Sequence, residues 1–364
     1  MKGAILSVRN LKVSRGGVPV LDIPGFEIRT GEFLSLIGPN GTGKSTLLLG
    51  LAGLIRKDRG EIGFHGQLVE NGARLLDYRR RLAMVFQEPL LFDATVYENV
   101  ASGLRIRGMG RSSMRPVIEE NLALFDVAHL SSRSARKISG GEAQRTSLAR
   151  AFATNPELIL LDEPFASLDP PTKEAIVEDL GRAMRIRGTT AVMATHDRMD
   201  ALRLSDRIAV MDGGGIAQIG TPAEVMNRPV SEAVAAFVGV ETILEGRVRS
   251  SAGGALQVEV GSREIFCAGS CEQGQEVLCF IRPEHVTIYP DGSRQDSSAR
   301  NVLSGTILSV QPIGMLYRVS IDCGFSLNAH VTGQSVEDLG LEPGKGVTAV
   351  FKATAVHVIR KPGA

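Results

Sequence analysis

The sequence predicts an α/β domain built around a phosphate-binding loop, with a helical subdomain inserted into it, followed by a small all-β, OB-like domain. Three observations carry this expectation. From Ile5 to about Val240, short apolar runs (FLSLI, LAMVF, LILLD, AVMATH, IAVMD) alternate with amphipathic stretches, the pattern of a largely parallel sheet covered by helices. A Gly-rich run, GPNGTGKST (38–46), sits between the apolar strand FLSLI and the helical stretch LLLGLAGLI. After Phe237 helical signals thin out, glycine rises, and short strands dominate (GRVRSS, LQVEV, EVLCFI, GTILSV, YRVSI, GVTAVF). The expected domains are 1–239 and 240–364, with the helical subdomain at about 93–153.

Composition narrows the class. The chain has 364 residues, enough for two domains with full cores. Charged residues make up 22% and the formal net charge is +1, so no basic tail or acidic block points to nucleic acid as a partner. No apolar run approaches the roughly 18–20 residues of a membrane span, and Met1 to Asn10 has no apolar leader core, so a soluble cytoplasmic chain is expected. Cys267, Cys271, Cys279 and Cys323 match neither a zinc pattern nor a CxxC pair and read as free, mostly buried thiols.

The elements follow in order. VRNLKVS and FEIRT open the chain as antiparallel strands. In the Gly-rich run, Gly38, Gly41 and Gly43 permit a tight turn, and the N–H groups around Gly41 to Ser45 point inward at phosphate oxygens. Lys44 reaches the β and γ phosphates and Ser45 can ligate Mg²⁺, while Pro39, Asn40, Thr42 and Thr46 complete the cradle at a helix start carrying roughly +0.5 charge. An ordinary Gly-rich turn would suffice for a shorter motif; the full G-x-x-x-x-G-K-[ST] spacing favours nucleotide binding. VYENVASGLRIRG and RPVIEENLALFDV then read as the inserted helices. In KISGGEAQRTSLARAF, Ser139, Gly140 and Gly141 precede a helix and form a second anion-binding terminus, although alone they would be an ordinary Ser N-cap with a glycine pair. LILLDEP delivers Asp162, suited to the Mg²⁺ shell, and Glu163, suited to polarising an attacking water, at the end of a buried strand.

GPNGTGKST, the glutamine of VFQEP (Gln87), ISGGEAQR, LILLDEP, SLD (167–169) and the histidine of ATHD (His196) occur in an order and spacing that resemble the ATPase subunits of ABC transporters, over the expected first domain. The resemblance implies a head-to-tail homodimer enclosing two ATP molecules, each between the phosphate loop of one subunit and the Ser139 signature of the other. It implies that Gln87 senses Mg²⁺ and the attacking water while touching a membrane permease, that His196 hydrogen-bonds the γ-phosphate, and that Asp169 crosses the dimer interface. The subunit would lie on the cytoplasmic face of the membrane, with an extracytoplasmic solute-binding protein as an indirect partner. One departure concerns adenine, which the family usually stacks on an aromatic residue. SRGGVPV (14–20) has none, and Arg15 stands in its place, where a guanidinium plane can also stack on a base.

The last third contains an internal echo: ILEGRV (243–248) with VLSGTI (302–307), and GQEVLCFIRPEHVTI (274–288) with GKGVTAVFKATAVHV (344–358), joined by DGSRQDSSAR (291–300). Duplication is the favoured reading, with two unrelated β segments of similar composition as the alternative. The region resembles the TOBE-type extension of bacterial importers, with IRPEHV as a familiar phrase. SARNVLSGTI (298–307), TGQSVEDLGLEPG (332–344) and FKAT (351–354) resemble the Mop-type domain that binds molybdate or tungstate, and Ser298, Arg300, Asn301, Ser335, Lys352 and Thr354 would hold the oxyanion. In the first half VGVET (238–242) stands at the corresponding place. The alternative is that these residues are turns and caps of a small barrel. The resemblance implies an importer of molybdate or tungstate, with sulfate, sugar, iron or polyamine as alternatives, and a regulatory oxyanion that would slow the ATPase. An ABC ATPase acting on DNA or ribosomes would need paired cassettes, basic arms or coiled-coil insertions; an oxyanion store with a vestigial ATPase is disfavoured by intact Lys44, Asp162, Glu163 and His196.

Overall fold

Two long strands, β1 (Ala4–Arg15) and β2 (Val18–Arg29), pair antiparallel across a turn at Gly16 and Gly17, whose φ values of 57° and 80° require glycine. The computed structural model describes residues 3–70, 72–292 and 297–361, so that residues 293–296 of the expected linker lie outside it. The chain divides into compact units at 1–225 and 226–364.

In the first unit β3 (Phe33–Ile37) leads through the Gly-rich loop into α1 (Lys44–Leu51), followed by β4 (Arg59–Phe64), β5 (Gln67–Leu68), α2 (Ala73–Arg80) and β6 (Leu82–Val85). The helical insertion holds α3 (Val96–Ile106), α4 (Arg111–Leu124) and α5 (Gly140–Ala153). The chain continues through β7 (Leu158–Asp162), α6 (Pro170–Arg187), β8 (Thr190–Ala194), α7 (Arg198–Leu204), β9 (Arg207–Asp212) and β10 (Gly215–Gly220). β2-β1-β4-β5 form an antiparallel sheet, and β10-β9-β3-β8-β7-β6 form a second sheet that is parallel except at the β10 edge.

The alternating side-chain directions of a strand divide this unit into two cores. Ile159 and Leu161 of β7, with Ala191 and Met193 of β8, face a core built with Val100, Ile118, Phe152 and Leu180 from the helices. Leu158, Leu160, Val192 and Ala194 face the opposite core, shared with Leu47 and Leu51 of α1 and with Leu6 and Ile23 of the antiparallel sheet. Both faces of the central strands are therefore apolar, which is why they read as continuous hydrophobic runs, each buried side chain contributing about 1.5–3 kcal/mol.

A short helix, α8 (Pro222–Asn227), spans the join between the units. The second unit begins with α9 (Glu232–Phe237), which the sequence reading grouped with the first domain. Carbonyls flanking α9 hold the small β domain: Arg282 donates to Met226 O and to Val238 O, and the His357 ring contacts Pro229 O.

The strands are β11 (Thr242–Ala252), β12 (Ala255–Val260), β13 (Arg263–Ala268), β14 (Glu276–Ile281), β15 (Thr287–Pro290), β16 (Asn301–Ile313), β17 (Leu316–Asp322) and β18 (Ser326–Thr332), then helix α10 (Gly333–Leu339), β19 (Gly346–Phe351) and β20 (Val356–Arg360). They form two five-stranded antiparallel sheets, β13-β12-β11-β14-β20 and β15-β19-β16-β17-β18. The internal echo is a structural repeat in which the halves exchange their last strands: β20 completes the first sheet and β15 the second. Register repeats with it, since Thr242 pairs with Ile281 and Phe280 with His357 in one sheet, while Asn301 pairs with Phe351 and Val350 with Thr287 in the other. The halves are thus one interlocked body with a common core. Within it Cys267, Cys279 and Cys323 are buried free thiols, and Cys271 is partly exposed.

Candidate nucleotide site

The Gly-rich loop turns between β3 and α1 with Gly38, Gly41 and Gly43 at φ 150°, 84° and 96°. A Cβ on Gly38 would lie 2.4 Å from Met211 O, and one on Gly43 would lie 2.6 Å from Leu21 Cδ2, so both close approach and backbone angle demand glycine there. Gly43 caps α1 without a side-chain bond, leaving the first N–H groups of the helix open to an anion. Lys44 is buried and its ammonium donates to Gly38 O at 2.8 Å and Pro39 O at 2.9 Å. Burial pulls its pKa below the ordinary lysine value, against the nearby carboxylates of Glu163 and Asp162. Thr42 Oγ1 donates to Pro39 O and stiffens the turn.

Behind the loop, Ser45 Oγ donates to Asp162 Oδ1 at 2.8 Å. Burial pushes the Asp162 carboxyl upward, with the Ser45 bond opposing. Glu163 follows in a left-handed backbone (φ 46°), its N–H bonded to Ala194 O, and its Oε2 lies 2.7 Å from His196 Nδ1. This turn aims the carboxylate off the end of β7 toward the histidine at the end of β8.

A cleft of ≈ 430 Å³ is lined by Asn40, Gly41, Gly43, Lys44, Ser45, Thr46, Gln87, Glu163 and His196, together with Val20. Residues far apart in sequence thus converge on one polar space sized for a nucleotide. Val20 was missed by sequence reasoning; its signal was an apolar residue shortly after the β1–β2 turn. Arg15, expected at the base, does not line the cleft: it is exposed and pairs with Val18 at the hairpin end, while Val20 of the same hairpin does line it.

Ser139, Gly140, Gly141 and Asp169 also stand outside this cleft. Ser139 caps α5 in a reciprocal box, its Oγ accepting from Glu142 N at 3.3 Å and its N–H donating to Glu142 Oε2 at 2.6 Å. That bond holds the Glu142 carboxyl below the usual range. Gly141 abuts Thr172 of α6, where a Cβ would meet Thr172 Cγ2 at 2.5 Å, and Asp169 caps α6 by accepting from Thr172 N at 3.2 Å. The two cap motifs are therefore neighbours, and neither lines the cleft of their own chain's phosphate loop.

In the second unit, Ser298, Lys352 and Thr354 line another ≈ 430 Å³ cleft with His285, Thr287 and Tyr289. The remaining expected oxyanion residues lie elsewhere. Asn301 is buried at 1% exposure, with Oδ1 accepting from Phe266 N and Nδ2 donating to Phe266 O, each at 2.8 Å, so its amide is spent on joining β16 to β13. Ser335 sits in the first turn of α10 bonded to Thr332, and Arg300 does not line the cleft. The repeat places a different cation at the corresponding position of the first half. Arg282 matches Lys352 in the echo but is tied to the carbonyls of residues 226 and 238, whereas the Lys352 ammonium, in the cleft wall, makes neither of these bonds.

A family model described as ABC transporter matches residues 21–166, and one described as TOBE domain matches residues 297–358. The chain is 37% identical over 92% of its length, and 94% of the relative's, to the molybdate/tungstate import ATP-binding protein WtpC of Pyrococcus horikoshii. It is 32% identical to the spermidine/putrescine import ATP-binding protein PotA of Borreliella afzelii (88% of this chain, 90% of the relative), and 37% identical to the sn-glycerol-3-phosphate import ATP-binding protein UgpC of Cupriavidus pinatubonensis (78% and 80%). Among solved structures, cbiO1 of Clostridium perfringens, part of an ABC transporter complex, superposes with a TM-score of 0.59 at 28% identity over 66% of this chain and 96% of that one.

A phosphate loop on a parallel sheet, facing paired acids and a histidine, defines an ATP-hydrolysing nucleotide-binding protein. With these likenesses, the chain belongs to the ATP-binding subunits of ABC importers, with a C-terminal TOBE domain. It binds and hydrolyses ATP, and subunits of this family work with membrane permease components. No helix among the described residues is long and apolar enough to cross a membrane.

Proposed function

We propose that this subunit energises import of molybdate or tungstate by closing as a head-to-tail homodimer on two ATP molecules at the cytoplasmic face of a membrane permease, with an extracytoplasmic solute-binding protein upstream. The observation that carries the dimer reading is the separation just described: Lys44, Gln87, Glu163 and His196 share one cleft, while Ser139 and Asp169 stand outside it. A helix N-terminus with two glycines is suited to a phosphate that another copy presents.

In this reading Lys44 leaves its loop carbonyls for the β and γ phosphates, and the open N–H groups of α1 complete the cradle. Ser45 Oγ, Asp162 and Gln87 offer hard oxygen donors that fit Mg²⁺, and the ion when bound neutralises phosphate charge. Glu163 Oε2 takes the proton of the attacking water, while His196 turns from Glu163 to the γ-phosphate. Val20 gives the base an apolar wall.

The solute reading is supported by the likeness to the WtpC proteins and by the second-unit cleft, where Ser298, Thr354 and Lys352 supply hydroxyls and one ammonium for a tetrahedral oxyanion. Occupancy there would report cytoplasmic oxyanion and slow hydrolysis. Equilibrium dialysis of the purified chain and of Lys352→Ala against molybdate, tungstate and sulfate tests it. Selective binding of the first two, lost in the variant, is expected; no uptake at micromolar anion refutes the oxyanion site. For the dimer, Ser139→Arg should be inactive and should poison wild-type protein in mixtures. Full activity of the variant alone refutes the shared site.

A further inference from the structure

Arg150 lies on α5, the helix that begins at Ser139, yet its side chain is devoted to the segment that follows Gln87. Nη1 donates to Leu90 O at 3.0 Å, Nη2 to Pro89 O at 3.2 Å and to Ser147 Oγ at 3.4 Å, and the guanidinium carbon stands 5.9 Å from the Phe92 ring centroid. No carboxylate lies within ion-pair distance of it among the described residues. Its pKa is lowered by burial, so the cation is partly withdrawn from water without a counter-charge. A planar fork spent on two consecutive carbonyls holds backbone geometry.

What it holds is unusual. Leu90 has φ 32°, in the left-handed region that a non-glycine residue rarely enters, and the residue is 60% exposed, so its own burial contributes little to holding that conformation. Two residues further on, the buried Asn99 of α3 accepts from Phe92 N at 2.8 Å and donates to Phe92 O at 3.1 Å. The segment that carries Gln87 is thus joined to β6 upstream and fastened to two subdomain helices downstream.

The geometry points to Arg150 as a positioning residue that fastens the Gln87 segment to the signature helix, so that Gln87 takes its place in the ATP cleft only together with Ser139. This rests on the reading of Gln87 as part of the hydrolytic site. It also makes the left-handed Leu90 the hinge through which α5 moves the glutamine.

The test is a mutant cycle on the full chain, reading ATPase kcat and KM, affinity for a fluorescent ATP analogue, and thermal unfolding. Arg150→Met is expected to lower kcat about tenfold or more, because small misplacements near the chemistry are costly, with KM and nucleotide affinity within about twofold. Leu90→Gly, which removes the need for the clamp, should recover part of that loss when added to Arg150→Met. In a Gln87→Ala background, Arg150→Met should change kcat by less than about twofold. An undiminished effect of Arg150→Met in that background, or none in wild type, overturns the tether while leaving the role of Gln87 intact. Wild-type kcat in Gln87→Ala alone overturns the reading of Gln87 and the tether with it. Should Arg150→Met not fold, Arg150→Lys, which keeps the charge but loses the fork, carries the same cycle.

Discussion

Replacing Glu163 by Gln separates binding from chemistry at one atom. Glu163 Oε2 faces His196 Nδ1 at 2.7 Å, and its backbone is fixed by the bond to Ala194 O, so an isosteric amide keeps the shape of the turn. What it loses is the ability to accept a proton, a general-base contribution of about 10²–10⁴ in rate, or about 3–5 kcal/mol of barrier. ATP affinity should move the other way. Lys44, the open α1 N-terminus and Ser45 are untouched, and one carboxylate charge beside a polyphosphate is removed. At roughly 6 Å and an effective dielectric of about 20, that repulsion is of order 2–3 kcal/mol before screening, so nucleotide should bind equally or more tightly. Phosphate release at saturating ATP and titration with a fluorescent nucleotide read the two effects separately. A kcat within about threefold of wild type would refute Glu163 as the base. Affinity weakened more than about tenfold would refute the view that the carboxylate only opposes the ligand.

Asn301→Leu leaves both backbone groups of Phe266 unpaired in the interior and should cost about 2–5 kcal/mol, seen as a lower denaturation midpoint for the second unit without loss of anion affinity in the protein that remains folded. Gly43→Ala forces a Cβ to within 2.6 Å of Leu21 Cδ2 at φ 96°; nucleotide binding by calorimetry should fall at least about tenfold, and stability by about 1–3 kcal/mol. Glu142 has a folded-state pKa below its unfolded value because it accepts from Ser139 N, so its charge stabilises the fold above the ordinary glutamate value of about 4.3, and that contribution fades as pH falls through the lowered value. The difference in urea midpoint between wild type and Glu142→Gln should therefore shrink in acid; a difference independent of pH would show that the carboxylate charge is not used.

Much of the site is legible in local sequence, because local spacing is what a phosphate loop, a strand end and a helix cap require. GPNGTGKST, LILLDEP and ISGGEAQR each contain their own turn chemistry, and Phe33–Ile37, Leu158–Asp162 and Thr190–Ala194 are apolar except at Ser35, Asp162 and Thr190 because both of their faces are covered. The small domain is less legible. β13, β18 and α10 were not anticipated, since short half-exposed segments such as REIFCA and SLNAHVT carry too weak a period, and the polar GQSVEDL forms a helix through the Thr332 cap.

By itself the sequence determined the ATPase machinery and the order of its parts, properties that depend on residue type and spacing along the chain, while the faint echo in the last third became a repeat only through matching strand register. Only the tertiary structure decided which expected residues share a cleft. Val20 rather than Arg15 lines the first cleft, and Asn301 is used up joining β16 to β13 while Ser298, Lys352 and Thr354 line a cleft of the second unit. Side-chain direction and the exchange of β15 and β20 between sheets are set by pairing across long sequence distances, which no local pattern encodes.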